Sequence, residues 1–212
     1  MSLKQITAAA TVSILASVPL LASTPAQAAA PQGNRSLAKV LAADGHNFDS
    51  NWGDFDIVDK AVGAVLAEKP KSPVAGLAKG KVAMTAFLPT DRAFRVLVED
   101  LTDESKPTER AVFRTLAAAA DVNMIESLLL YHVVPGATVT YRQAQKSDGS
   151  DLQTALKGGS LTVNVTSGTR VRLRDADGDE RNATVVRSLR DINKGNKQIA
   201  HGIDRVLRPM DF

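Results

Sequence analysis

The feature that most limits what this chain can fold into is a change of periodicity near residue 133. Up to that point apolar residues recur every three or four positions between capping signals, the mark of amphipathic helices. Ser36 precedes a short helix carrying Leu37, Val40 and Leu41, which Gly45 ends. Asp54 is expected to cap a second, with Ile57, Val58, Ala61, Val62, Val65 and Leu66 on one face. Ser72-Pro73 restarts a turn of helix after Pro70. Thr90-Asp91, Thr108 and Asp121 each open a further helical stretch. The exception is "VAMTAFL" (82–88), whose apolar run is too continuous for a surface helix and predicts a buried strand ended by Pro89.

From Val133 onward the pattern alternates instead. "SLTVNVT" (160–166) sets Leu161, Val163 and Val165 against polar neighbours, and "RVRLR" (170–174) sets Val171 and Leu173 against arginines. "ATVVRSL" and "QIAHGIDRVL" complete the set, separated by turn-formers. Helices first and strands later predict an α+β domain with a largely antiparallel sheet, and no linker or repeat divides it.

The first residues follow another logic. Lys4, the apolar stretch "ITAAATVSILASVPLLAS" and the small-residue sequence ending in Ala26-Gln27-Ala28 read as a secretory signal peptide over residues 1–28, with cleavage after Ala30 also fitting. Removing it leaves about 180 residues, enough for one domain with a sizeable core. The expected product is secreted, extracellular or associated with the cell envelope, with no membrane span in the mature protein. The short signal is bacterial in style, so the N-x-[ST] triplets at Asn34, Asn164 and Asn182 are read as unmodified. The chain has no cysteine, which excludes disulfides, thiol catalysis and a lipidated N-terminal cysteine. Such a domain has to be held by its core alone.

Tests for chemistry come back empty. A formal charge of +3 is too small to point to nucleic acid. Arg170, Arg172 and Arg174 share one strand face without the aromatic residues that a stacking platform needs, so they read as a solvated outer face. "DADGDE" (175–180) is rich in oxygen ligands, but glycine stands fourth rather than sixth, and Val186 takes the place of the closing glutamate of an EF-hand loop. It reads as a hairpin turn in which Asp177-Gly178 supply positive φ angles. His46, His132 and His201 show no metal-ligand spacing, and there is no nucleophile elbow, phosphate loop or zincin motif. The expectation is therefore no enzyme, no metal and no cofactor.

Three segments stand out in order: "TAFLPTDRAF" (85–94), "LLLYHVVPGA" (128–137) and "NKQIAHGIDRVLRP" (196–209). Together with the glycine-turn strand "LKGGSLTVNV", they make residues 36–209 resemble the fasciclin domain family. The residues that carry the resemblance are Pro89, Thr90 and Asp91, the pair Tyr131-His132, and His201 and Asp204 near the end. Two departures are visible. Gly202 stands where the family has an aliphatic residue, which suggests a bulge, and the N-terminal part is longer than in a minimal domain, as in the secreted bacterial branch.

The resemblance implies a wedge of about seven strands packed with several helices. It also implies adhesion, with a cell-surface or matrix protein or glycan as partner and Tyr131 and His132 as recognition residues. The residues themselves suggest a division of labour. Helical spacing turns His132 toward the core, where the Thr90-Asp91 turn is the expected hydrogen-bond partner, and it leaves adjacent Tyr131 for a surface contact. The competing function is an extracellular carrier of a small hydrophobic ligand. With only six Phe, two Tyr, one Trp and four Met, its pocket would be lined mostly by aliphatic residues.

Overall fold

The computed structural model describes residues 32–43, 45–166 and 169–210, so the expected signal peptide lies outside the described residues. Five helices occupy the first part: α1 (Leu37–Leu41), α2 (Asp56–Glu68), α3 (Asp91–Thr102), α4 (Glu109–Ala119) and α5 (Val122–Tyr131). A 3₁₀ segment, Pro73–Ala78, follows α2, and strand β1 (Met84–Pro89) precedes α3. Most of these helices start where the capping residues say they should. The side chains of Ser36, Ser72, Thr90, Thr108 and Asp121 each accept a backbone N–H of the turn they open.

Beyond α5 come β2 (Val133–Pro135), a one-turn helix α6 (Tyr141–Ala144), β3 (Asp151–Gln153), β4 (Ser160–Thr166), β5 (Arg170–Arg174), β6 (Ala183–Thr184) and β7 (Gln198–Ile203). They form two sheets rather than one. The order β3-β4-β5-β6 is antiparallel throughout. The other sheet, β2-β1-β7, is mixed: β1 runs antiparallel to β2 but parallel to β7, from Met84 opposite Gln198 to Pro89 opposite Ile203. The expectation of a largely antiparallel sheet holds for the first and fails for the second. Parallel pairing requires a long crossover, and here everything between β1 and β7 supplies it.

The mixed sheet separates two apolar cores. Met84, Ala86 and Leu88 of β1 face the helical side, where they pack with Leu37, Ile57, Val65, Val98 and Val112. Phe87, on the opposite face, joins Tyr131, Leu161, Val163, Val171, Leu173 and Ile203 in the core against the antiparallel sheet. Both faces of β1 are buried, so its alternating side chains are apolar on each, apart from Thr85, whose hydroxyl donates to Ala137 O at 2.8 Å.

Several local expectations are corrected. Asp54 does not cap α2: the N-cap is Phe55, with no side-chain bond of its own. The β5–β6 connection turns without a left-handed φ at Asp177 or Gly178. Asp177 is instead buried, and it binds the Arg208 guanidinium at 3.1 Å. Gly202 marks no bulge, since the ladder with Leu88 runs through it unbroken. A Cβ there would lie 2.6 Å from Leu189 Cβ, so glycine is needed for the close approach of the 3₁₀ turn Arg187–Leu189. Among the described residues no helix is long and apolar enough to cross a membrane.

Candidate functional site

Tyr131 and His132 close α5, and both are buried, at 1% and 4% exposure. His132 holds two backbone groups. Its Nδ1 lies 2.7 Å from Leu128 O and its Nε2 2.9 Å from Leu207 N. A carbonyl can only accept and an amide can only donate, so Nδ1 carries the proton and Nε2 is bare. The ring is thus a neutral clamp between the end of α5 and the segment after β7. Burial pulls its pKa from 6.5 down to about 4, against the raising effect of the Leu128 carbonyl. The expected partnership with the Thr90-Asp91 turn is not what forms.

The expectation that Tyr131 faces outward is also corrected. Its hydroxyl donates to Ser160 O at 2.9 Å and accepts from Ala176 N at 3.1 Å. Those two groups belong to the start of β4 and the loop leaving β5, so one phenol joins neighbouring strands at their ends. Burial, with Asp175 nearby, pushes the phenol up to about 12. Gly159 lies against the ring, where a Cβ would come 2.9 Å from Tyr131 Cδ2.

Above this tyrosine the surface opens into a cleft of about 380 Å³. Gly158, Ser160, Thr162, Arg174, Ala176 and Pro209 line it. Ser160, Arg174 and Ala176 are exposed, so the rim offers a hydroxyl, a guanidinium and backbone groups to a partner. A second, much smaller indentation of about 10 Å³ is edged by Asp100, Asp175, Glu180, Arg181, Arg205 and Arg208. There Arg208 bridges Asp100 of α3 and Asp177.

The remaining motif residues hold the frame. Pro89 ends β1 beyond its pairing with β2, the next residue's N–H still reaches Ile203 O of β7 at 3.1 Å, and the Thr90 side chain accepts from Ala93 N as the cap of α3. Asp91, fully buried, reaches across to a different helix: it accepts from Asp56 N at 3.1 Å and Ile57 N at 2.9 Å, and so caps α2 from outside. Burial and the neighbouring carboxyl of Asp54 push its own carboxyl up to about 9. His201 stacks on Phe87, accepts at Nδ1 from Asp191 N and donates from Nε2 to Val139 O. Its pKa is lowered by burial. Asp204 accepts from Thr184 N at 2.6 Å and pairs with Arg181, which fixes β6 beside β7.

Sequence reasoning passed over two buried polar residues that do comparable work. Gln198, fully buried, accepts from Leu37 N and donates to Gly76 O and Lys79 O, which ties β7 to α1 and the 3₁₀ segment. Arg208 is the other. Both lie in or just after the last strand, and a polar side chain inside an otherwise apolar strand was the available signal.

Comparison with known proteins gives one family. The model of the Fasciclin domain matches residues 65–209. Among solved structures, the chain is similar to a FAS1 domain pair from the insect cell adhesion molecule fasciclin I, with 19% sequence identity and a TM-score of 0.43. That match covers 72% of this chain and 43% of the other, so the chain spans less than half the length of the domain pair. No curated protein matches it.

Proposed function

The chain belongs to the fasciclin domain family, which is associated with adhesion, and from that premise we propose that it is a secreted binding module for a cell-surface or matrix protein or glycan. The observation that carries the reading is the family match over residues 65–209. The cleft over Tyr131 is the surface on which we place recognition. Its rim is polar and partly charged, and such groups suit hydrogen bonding to a peptide backbone or sugar hydroxyls better than they suit an apolar ligand. The carrier function draws less support from such a lining.

In this reading Tyr131 and His132 contribute to recognition without touching the partner. Tyr131 fixes Ser160 and Ala176 on the cleft wall, and His132 fixes Leu207 in the segment that leads to Pro209. No reacting group is invoked, and the module acts by binding alone.

The test is binding of purified protein to immobilised matrix proteins and a glycan array, with a melting curve for every variant. Arg174→Glu changes the rim from outside and is expected to abolish binding while melting like the wild type. Tyr131→Phe removes the phenol that holds the wall and is expected to weaken binding and lower the melt together. An Arg174→Glu variant that binds like the wild type rejects the cleft. Failure of the wild type to bind any surface or matrix component rejects the module.

A further inference from the structure

On the helical side of the molecule, remote from the cleft residues in sequence, three acidic side chains meet. Asp54 lies before α2, Asp91 opens α3 and Glu109 opens α4. A carboxylate oxygen from each falls within 4.8 Å of the other two. Asp91 and Glu109 are fully buried. Among the described residues, no lysine, arginine or histidine forms an ion pair with any of the three. Asp49 and Asp56 add oxygens within the same distance of Asp54, and Asp56 has further interactions of its own.

The second observation is what is missing from the hydrogen bonding. Glu109 Oε2 accepts from Asp49 N at 2.8 Å, but Oε1, buried beside it, has no donor. Asp54 Oδ1 is likewise buried without a donor. A charged carboxylate oxygen buried without a partner is strongly disfavoured. Two of them in one cluster of acids call for a shared positive centre. We propose that Asp54, Asp91 and Glu109 hold a divalent cation of the calcium class, tying the loop before α2 to the first turns of α3 and α4.

The chemistry of the donors selects the ion. All are carboxylate oxygens, with no imidazole or thiolate, which suits a hard cation. Two oxygens on one calcium can lie up to about 5 Å apart, whereas magnesium caps the distance near about 4.2 Å and gives up its waters reluctantly. Asp91 keeps lone pairs for the ion after accepting from Asp56 N and Ile57 N, since a carboxylate offers about four acceptor sites.

Terbium luminescence tests the site on the wild-type protein, because Trp52 is the sole tryptophan and stands two residues from Asp54. Excitation of Trp52 is expected to sensitise bound terbium, and calcium chloride is expected to displace it. At calcium about 100-fold above Kd, the melting temperature should rise by about 5 to 10 °C relative to EDTA. Glu109→Gln and Asp54→Asn should melt in EDTA at or above the wild type, because each removes charge from a buried acidic cluster, and should lose the calcium response. A wild type with no displaceable terbium signal and no calcium-dependent melt overturns the proposal. So does a calcium response that survives in both variants. A wild type that is stabilised by acid alone and is indifferent to calcium also overturns it, and assigns the cluster to a shared proton.

Discussion

His132 can be tested through its protonation rather than its removal. In the folded protein the ring stays neutral until about pH 4, while the unfolded chain takes up the proton near 6.5. Between those values the unfolded state binds more protons than the folded one, so stability must fall as pH falls through that window. The full contribution is present above 6.5. Each unit of the window is worth about 1.4 kcal/mol, so moving from pH 7.5 to 4.5 removes about 2.5 kcal/mol through this one ring. The structure supplies the cause: a second proton on Nε2 would meet the Leu207 amide head-on in a dry core. Glutamine at the same position does not titrate. His132→Gln should cost about 1 to 3 kcal/mol at pH 7.5 through the disturbed bonds, yet lose less on acidification than the wild type. Urea unfolding at both pH values reads the difference directly. With a slope of about 2 kcal/mol per molar urea, the wild-type midpoint should fall by about 1 M more than that of the variant. His201, Asp91 and the other titrating groups are common to both proteins and cancel. Parallel pH dependences would refute the neutral clamp.

Other perturbations probe the packing. Gly159→Ala should destabilise by about 1 to 3 kcal/mol, because the added methyl would sit 2.9 Å from the Tyr131 ring and 2.6 Å from Thr154 Oγ1; an unchanged urea midpoint with unchanged Tyr131 ring resonances would contradict that contact. Gly202→Ala should cost a similar amount by driving Leu189 off β7, which hydrogen exchange at the Val186 amide, bonded to Gly202 O, would report as faster exchange. Arg208→Met should cost about 3 to 5 kcal/mol, since it leaves the buried Asp177 carboxylate without its cation. A loss under about 1 kcal/mol in denaturant titration would mean that the pair is open to water.

Local signals in the sequence were readable because their physics is local. A capping hydroxyl or carboxylate acts within three residues, so Ser36, Ser72, Thr90, Thr108 and Asp121 announced their helices directly. Alternation marked β4 and β5 to the residue, because one face of the antiparallel sheet is covered and the other is largely exposed. The short α6 escaped notice even though Thr140 and Gln143 form a capping box, since one turn carries too little periodicity to see.

What stayed hidden is non-local. Asp91 caps a helix that begins 35 residues earlier in the chain, and nothing near Asp56 encodes that partner. Extending the helical phase puts Tyr131 on the surface, but α5 ends there. His132 takes the cap position, so two adjacent side chains both turn inward. The family motifs were legible as a set. Their meaning as framework came only from seeing Tyr131, His132, His201 and Asp204 each hold backbone groups of another segment.

The parallel pairing of β1 with β7 bears on the order of events as the chain is made. β1 lies between β2 and the last strand, and the helical and sheet cores both draw on the stretch from Ala200 to Leu207. Until that stretch emerges, β1 lacks one neighbour, Leu37 N lacks its Gln198 acceptor and His132 lacks the Leu207 amide. A nascent chain stopped before Leu207 therefore has neither core closed. Closure of both cores waits for β7, long after β1 has been made, and until then β1 is held on one side only.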